Sequence, residues 1–234
     1  MSEGTDDERT PAAGGSGPRD WWDRFWSTDR FGVAIARELA LSILIVMLVA
    51  ALLFGLAGVW PPLVAVESDS MEDQIMTGDL VFVVDADRYS HEAAVAETGV
   101  VPADVATDAE YQRFDRPGDV IIFMPNGESG ETPIIHRAHY FVTEGENWYE
   151  RADPDRVGNA DDCDELSHCP APHSGFITHG DNNAFYDQVQ RDSAPVKSEW
   201  IISRAHRRVP VLGRIRLFFD ELFGVSLPSI LSFA

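Results

Sequence analysis

Basic residues are scarce in this chain of 234 residues, and lysine is almost absent. The sequence has 18 basic residues against 39 acidic ones, a formal net charge of −21, and Lys197 is its only lysine. The nearest approach to a basic cluster is the pair Arg207-Arg208. Because no larger cluster of basic residues is present to neutralise phosphates, we expect no nucleic-acid partner. The acid is spread along the chain, which predicts a solvated surface and is also typical of proteins in concentrated salt.

Cysteine is limited to Cys163 and Cys169, which lie in an acidic loop predicted for residues 150–175. The spacing leaves three interpretations open. An exported loop would permit a disulfide bond. The two cysteines could instead bind zinc together with His168 and His173, or they could remain free thiols.

Charged residues are missing from residues 39–60. As a helix with ~1.5 Å rise per residue this segment would extend about 33 Å, enough to cross the hydrocarbon core of a membrane. The apolar core is longer than that of a cleavable signal peptide, and Pro61-Pro62 would end the helix. We therefore expect an uncleaved transmembrane helix.

The residues before this span differ in composition from the rest of the chain. Residues 1–20 are rich in glycine, proline, serine and acid, which predicts a disordered tail. Aromatic residues and arginines in residues 21–38 predict an anchor at the membrane interface, the alternative being an amphipathic helix on a soluble core. Arginines precede the span and no basic residue occurs in residues 61–87, so residues 1–38 are expected in the cytoplasm and residues 61–234 outside.

Short apolar runs separated by turn residues dominate residues 61–213. Because no long helices alternate with these runs, we expect a mainly antiparallel β-domain with polar insertions at residues 85–115 and 150–175. Residues 214–234 are apolar at helical spacing, which predicts a helix on the membrane surface or beside the anchor. A helix that caps the soluble domain is the alternative for this last segment.

A candidate nucleophile follows the membrane segment in the run Glu67-Ser68-Asp69-Ser70-Met71. A serine needs a general base to become a useful nucleophile at neutral pH. Lys197 follows Pro195-Val196 in a polar stretch that would not desolvate it, although a catalytic lysine must be neutral. Histidine is therefore the expected base.

His136 follows the apolar residues Pro133-Ile134-Ile135 on a predicted strand that could hold it rigidly. His139 is expected on the opposite face of that strand. A structural histidine is the alternative interpretation of His136. Asp181, in the turn Gly180-Asp181-Asn182-Asn183, and Asp187 are the candidate carboxylates; turn chemistry and a solvated surface acid are their alternatives.

Five short motifs occur in order after the predicted membrane span. They are Ser68-Asp69-Ser70-Met71, Gly78-Asp79-Leu80-Val81-Phe82, Pro117-Gly118-Asp119-Val120-Ile121, Ile134-Ile135-His136-Arg137, and Gly180-Asp181-Asn182-Asn183 with Asp187. Together they resemble the type I signal peptidases of the archaeal and endoplasmic-reticulum branch, over roughly residues 39–213. That branch uses histidine where the bacterial enzymes use lysine.

The resemblance implies a role for each matching residue. Ser70 matches the nucleophile and His136 the general base. Asp187 matches the carboxylate that orients or stabilises the histidine, and Asp181 matches a second acid whose role is less settled. Ser68 would complete the oxyanion hole with the backbone N–H of Ser70.

The resemblance also implies a fold, substrates and partners. Met71 would help to shape the substrate pocket, the fold would be a set of coiled β-sheets, and the substrate would bind as an added strand. The expected activity is removal of signal peptides from exported preproteins, with no cofactor and no metal. Membrane lipid and the protein-export translocon are the other expected partners.

Three features depart from the family pattern. Asp69 stands where the family usually has glycine, and we expect its side chain to point away from the site. His179 replaces a frequent lysine, and the loop of residues 150–175 has no counterpart among the motifs. A non-catalytic, membrane-anchored β-domain for envelope binding or assembly is the alternative function, as is a related peptidase with a dedicated substrate.

Overall fold

A computed structural model describes residues 31–210 and 232–233 of the chain. The described residues divide into two compact units between Leu52 and Leu53. The helix α1, Phe31–Ala57, begins in the first unit and ends in the second. Within the described residues it is the one helix long and apolar enough to cross a membrane, which confirms the predicted N-terminal apolar helix.

The ends of α1 differ from the predicted span of residues 39–60. The described helix extends from Phe31, upstream of the predicted start, because the charged residues Arg37 and Glu38 end the apolar run but do not prevent helix formation. It ends at Ala57 because Gly58 takes a φ of 78° and donates its backbone N–H to the Phe54 carbonyl at 2.8 Å. This left-handed glycine is a common helix stop, and hydropathy does not detect it.

The carbonyl groups at the end of α1 are satisfied by donors from residues 85–89. The backbone N–H of Asp85 donates to the Ala57 carbonyl at 2.9 Å, and the Tyr89 hydroxyl donates to the Leu56 carbonyl at 3.2 Å. Arg88 donates to a carbonyl of the same turn, where a positive charge complements the helix dipole. The last turn of α1 is thereby tied to the β-domain.

The β-domain is built on one curled, seven-stranded sheet in the order β7-β6-β5-β8-β2-β1-β9. Every pair is antiparallel except β1 with β9, so the predicted mainly antiparallel domain is confirmed. A small hairpin joins Gln112–Arg113 (β3) to Arg116–Pro117 (β4). The other strands are Leu63–Val66 (β1), Leu80–Val84 (β2), Val120–Phe123 (β5), Ile134–Val142 (β6), Gly175–His179 (β7), Ile201–Val209 (β8) and Ser232–Phe233 (β9).

Irregularities in strand pairing accompany the curl of the sheet. The register shifts between Phe82 and Val83 on β2, at the end of β5, and between Ala138 and Tyr140 on β6. Each such shift bends its strand and increases the local twist. The central strands therefore wrap around a core that includes Met71 and Ile75, which anchor the segment after β1.

The polar insertion of residues 85–115 contains one short helix, α2, Ala103–Asp108. It is fastened to the sheet by the buried carboxylate of Asp119, which accepts bonds from the Val101 backbone N–H and the Arg204 guanidinium, both at 2.9 Å. Tyr111 donates to the same carboxylate at 2.7 Å, and burial together with that negative charge raises the Tyr111 pKa to about 12. Asp119 thus has a structural role.

The acidic loop of residues 150–175 contains a disulfide bond between Cys163 and Cys169. Of the three open interpretations of these cysteines, the structure contains the disulfide, which leaves no thiolate for zinc. No cluster of metal-binding side chains occurs within residues 31–210. The helix predicted for residues 214–234 lies outside the described residues, apart from the backbone of β9.

Candidate active site

The serine segment forms a tight turn directly after β1. The Glu72 N–H donates to the Asp69 carbonyl and the Ile75 N–H to the Met71 carbonyl, both at 2.9 Å. Met71 is fully buried beneath the turn, whereas Ser70 is partly exposed and Asp69 is exposed, as expected. The turn therefore presents Ser70 at the surface while Met71 holds it to the core.

Ser68 and Ser70 lie side by side at this surface. Their hydroxyl oxygens are 3.1 Å apart and share a hydrogen bond in which either group can donate. The Ser68 carbonyl also accepts a bond from the Thr77 hydroxyl at 3.0 Å. The two serines thus form one polar pair at the end of β1.

His136 and Asp187 form a buried pair. His136 lies on β6 opposite Ile121 of β5, and Asp187 begins the short helix α3, Asp187–Gln190. The imidazole Nδ1 is 2.8 Å from Oδ2 and 2.9 Å from Oδ1 of Asp187, with the residues only 4% and 0% exposed. A carboxylate can only accept, so Nδ1 carries the hydrogen and Nε2 is left with a lone pair for proton transfer.

The Asp187 carboxyl group stays ionised although it is completely buried. Burial alone would raise its pKa. The positive charge that His136 carries when protonated, together with bonds from His136 and Thr178, outweighs burial and holds the Asp187 pKa below its ordinary value. Asp187 can therefore orient the imidazole and stabilise its protonated form.

Asp181 has a different partner. Its Oδ2 and Oδ1 accept bonds from Nη2 and Nε of Arg137 at 2.6 and 2.8 Å. Arg137 is buried as well, and its Nη1 donates to the carbonyls of Gly118 at 2.8 Å and Arg113 at 3.0 Å. The sequence left open which of the two carboxylates serves His136; the described contacts join Asp187 to the histidine and Asp181 to the neighbouring arginine.

The turn of residues 180–183 connects the serine segment to the histidine. The backbone N–H of Asn182 donates to the Ser70 carbonyl at 2.8 Å, and its side-chain amide donates to the Asp69 carbonyl at 3.1 Å. The Asp181 N–H approaches the Met71 sulfur at 3.4 Å. These bonds position Ser70 against a turn that follows β7, the strand beside His136.

Gly180 occupies the narrowest point between these groups. A Cβ on Gly180 would lie 2.7 Å from the Ser70 carbonyl oxygen, 2.8 Å from His136 Nε2 and 2.9 Å from the Asn183 side chain. The serine backbone and the free imidazole nitrogen therefore both lie within 3 Å of one point. A side chain at this position would have to displace these groups, so space requires glycine here.

His139 and His179 have structural surroundings. The rings of His139 and His179 pack edge to face with centroids 5.3 Å apart, and both also pack against Tyr186. Burial, the mutual repulsion of the two rings and the Arg156 charge lower the His139 pKa to about 3. Burial and Arg156 lower the His179 pKa to about 4, so both rings are neutral near pH 7.

Lys197 lies in a different environment from the Ser70 segment. Its ammonium group is 3.8 Å from the Glu199 carboxylate and 5.2 Å from the centroid of the Trp200 ring. About a third of its side chain is exposed to solvent. These surroundings agree with the expectation that this lysine is not desolvated.

Three residues of the site were not identified from the sequence. Asn182 and Gly180 belong to a motif that was recognised as a turn and as part of the resemblance. Neither was assigned a role, because their contacts are with residues distant in sequence. Thr178 carried no signal in the sequence. Its hydroxyl donates to Asp187 at 2.6 Å.

The arrangement as a whole is suited to acyl transfer. It combines a partly exposed serine, an imidazole with a free nitrogen, and a carboxylate that fixes the imidazole tautomer. Comparison of the sequence with protein-family models finds no match, and comparison with curated proteins likewise finds none. The chemistry of the site therefore has to be inferred from its own residues.

Proposed function

We propose that this protein is a membrane-anchored serine endopeptidase that removes N-terminal signal peptides from exported preproteins, as do the type I signal peptidases that its motifs resemble. The observation that carries the proposal is the buried His136–Asp187 pair, with Nδ1 2.8 Å from the carboxylate. Its free Nε2 shares the space around Gly180 with the Ser70 backbone. A module that only binds a partner has no need of this combination.

In the proposed reaction, Ser70 Oγ attacks the carbonyl carbon of the scissile peptide bond. Rotation about the Ser70 Cα–Cβ bond turns the hydroxyl from Ser68 toward His136 Nε2, which takes the proton. The protonated imidazole, held by Asp187, returns this proton to the leaving amine as the peptide bond breaks. Water then attacks the acyl-enzyme with His136 again as base, which releases the signal peptide and restores Ser70.

The groups beside Ser70 have roles in the same scheme. The Ser68 hydroxyl and the Ser70 backbone N–H are the proposed donors to the oxyanion of the tetrahedral intermediate. Met71 is buried below the nucleophile and would help to shape a shallow pocket for small side chains from beneath. The peptide would bind in an extended conformation as an added strand. Beside β1 it would have to displace β9, which pairs with Ala65 and Val66.

The proposed location follows from the helix and its flanks. We propose that α1 is a single membrane span with a cytoplasmic N-terminus, because arginines precede it and none follows until Arg88. Pro61-Pro62 and β1 connect the end of α1 to Ser70 through a short segment. The nucleophile would then lie close to the outer membrane surface, where signal peptides, lipid and the export translocon meet.

Cleavage of a preprotein tests this function. The full-length protein in detergent, over a range of salt concentrations, is incubated with a preprotein that carries an Ala-x-Ala signal-peptide site, and the products are mapped by mass spectrometry. We expect one cut after the second alanine, and no cut when both alanines are replaced by leucine. Absence of cleavage at every salt concentration would favour the binding module or a dedicated substrate.

Replacement of Gly180 should remove most of this activity. In Gly180→Ala the new methyl group would force apart the Ser70 carbonyl and His136 Nε2, which lie 2.7 and 2.8 Å from its position. A displacement of about 1 Å in a catalytic group costs on the order of 100-fold in rate. We therefore expect kcat for preprotein cleavage to fall at least about 100-fold.

Gly130→Ala is the matched control for this change. Nothing lies within 4 Å of a Cβ at Gly130, so this variant should cleave at the wild-type rate. Circular dichroism and thermal melting establish that both variants fold. A folded Gly180→Ala variant with wild-type activity would show that the site is not assembled around this glycine.

A further inference from the structure

The Asp187 carboxylate has a second partner besides His136. The hydroxyl of Thr178 lies 2.6 Å from Asp187 Oδ2, the oxygen nearer to the imidazole. Thr178 lies on β7 opposite Ala138 of β6, two positions along that strand from His136, so both side chains lie on the same face of the sheet. Thr178 and Asp187 are both 0% exposed, and water has no access to replace this bond.

Gln188 determines the direction of the Thr178 hydroxyl. Its Oε1 accepts the backbone N–H of Thr178 at 3.1 Å, so its amide NH2 faces the threonine hydroxyl, to which it donates at 3.3 Å. The same NH2 donates to the Ala194 carbonyl at 3.4 Å. Because the hydroxyl oxygen accepts from Gln188, its only hydrogen is directed to Asp187.

Few side chains are placed to orient the Asp187 carboxylate. The titratable side chains that act on it are His136 from β6, His179 from β7 and Asp192, which follows α3. His179 is directed to the Asn183 carbonyl, 2.8 Å from its Nε2. Thr178 is therefore the described neutral side chain that bonds to the carboxylate, at the same Oδ2 that contacts the imidazole.

We propose that Thr178 is a positioning residue for the reaction, and that its hydroxyl, directed by Gln188, holds the Asp187 carboxylate where both oxygens can receive the His136 Nδ1–H. This inference rests on the proposed function, since it assigns a role within that catalytic site. Thr178 does not touch the reacting atoms. It acts through Asp187 and His136.

Thr178→Val removes the hydroxyl and keeps the size and shape of the side chain. Oδ2 of Asp187 then loses a charge-assisted hydrogen bond in a site that water does not reach. We expect kcat to fall about tenfold, with KM nearly unchanged because the peptide does not contact Thr178. Without this bond the carboxylate should stabilise the protonated imidazole more strongly. The acidic limb of the pH–rate profile should therefore move to higher pH.

Two further variants separate the hydroxyl from the shape of the side chain. Thr178→Ser keeps the donor and should restore both kcat and the position of the acidic limb. Thr178→Cys, whose thiol is a weak donor, should have a kcat and an acidic limb between those of wild type and Thr178→Val. If Thr178→Val does not fold, Thr178→Cys replaces it in the test. Thr107→Val is the control, because that hydroxyl is exposed and bonds within α2 to the Ala103 carbonyl.

The experiment measures kcat, KM and the pH–rate profile of the full chain in detergent for these variants. A second readout is the titration midpoint of His136 by NMR of histidine-labelled protein, assigned with His136→Gln, which needs no catalysis. A lower kcat together with a raised midpoint, restored by serine, supports the proposal. If the valine variant melts at a lower temperature but keeps the wild-type midpoint, the Thr178 hydroxyl has only a structural role and the proposal is wrong.

The two readouts distinguish failure of this inference from failure of the proposed function. If the wild type cleaves preprotein and Thr178→Val matches it in kcat and midpoint, the role of Thr178 is wrong and the function stands. If the wild type does not cleave but the valine variant raises the midpoint, Thr178 positions the His136–Asp187 pair and the peptidase assignment is wrong.

Discussion

Replacement of Ser70 or His136 by alanine is expected to lower kcat/KM for preprotein cleavage by about a millionfold. Ser70→Ala removes the atom that attacks the peptide carbonyl, and His136→Ala removes the base that activates it. The two losses should be of similar size, because a serine without its base is a poor nucleophile at neutral pH. Initial rates of preprotein cleavage, with products resolved by mass spectrometry, measure both effects.

Two serine controls accompany this prediction. Ser68→Ala removes one proposed oxyanion donor while the nucleophile stays in place, so we expect a smaller loss, about 100- to 1,000-fold in kcat. Ser198→Ala changes an exposed serine on another part of the domain and should leave the rate unchanged. Cleavage that survives in Ser70→Ala would identify a different nucleophile.

Lysine should not replace His136 as the general base. The bacterial type I signal peptidases use lysine in this role, but the surroundings of His136 do not suit it. In His136→Lys the ammonium group would face the Asp187 carboxylate, which lies 2.8 Å from the present Nδ1. An opposite charge at this distance stabilises the protonated amine, whereas a catalytic lysine must be neutral. We expect this variant to be as inactive as His136→Ala.

The second large effect concerns the two carboxylates. Asp187→Asn should lower kcat by about 10⁴-fold, because an amide can donate to Nδ1 and thereby favour the wrong imidazole tautomer. Asp181→Asn should keep kcat within about tenfold of wild type, since Asp181 bonds to Arg137 rather than to His136. Kinetic assays of the two asparagine variants in the same detergent give this comparison.

Asp181→Asn should lower stability even though it keeps most of the activity. Asp181→Asn leaves the buried guanidinium of Arg137 without its bidentate partner, and a broken buried ion pair costs about 3–5 kcal/mol. We expect its melting temperature to fall by roughly 5–10 °C or more. An Asp181→Asn variant with an unchanged melting temperature and a 10⁴-fold loss of kcat would reverse the assignment of the two acids.

The elements of the fold were largely predictable because their signals are local. The uncharged run of residues 39–60 indicated the helix, and short apolar runs such as Leu80–Val84 and Val120–Phe123 indicated strands. The end of α1 was not predictable from hydropathy, because it depends on the left-handed backbone of Gly58. The disulfide was one of three open interpretations, since spacing alone does not determine whether two thiols pair.

The candidate site was predictable in its members but not in its contacts. Ser70, His136, Asp181 and Asp187 were selected from residue chemistry and from the resemblance. Which carboxylate lies beside His136 depends on how α3 packs against β6 and β7, and the sequence contains no local signal for that packing. Thr178 and Asn182 act through hydrogen bonds to distant residues, so their roles emerge only from the three-dimensional arrangement.

The most direct test of the central claim, that Ser70 and His136 act as one catalytic unit, is a double-mutant cycle. Preprotein cleavage by the full-length protein is measured for wild type, Ser70→Ala, His136→Ala and the double variant, with long incubations analysed by mass spectrometry. Residues that act as a unit have non-additive effects, so we predict the same residual rate for the double variant as for either single one. A double variant whose loss is the product of the two single losses would contradict the account, because the two residues would then act independently.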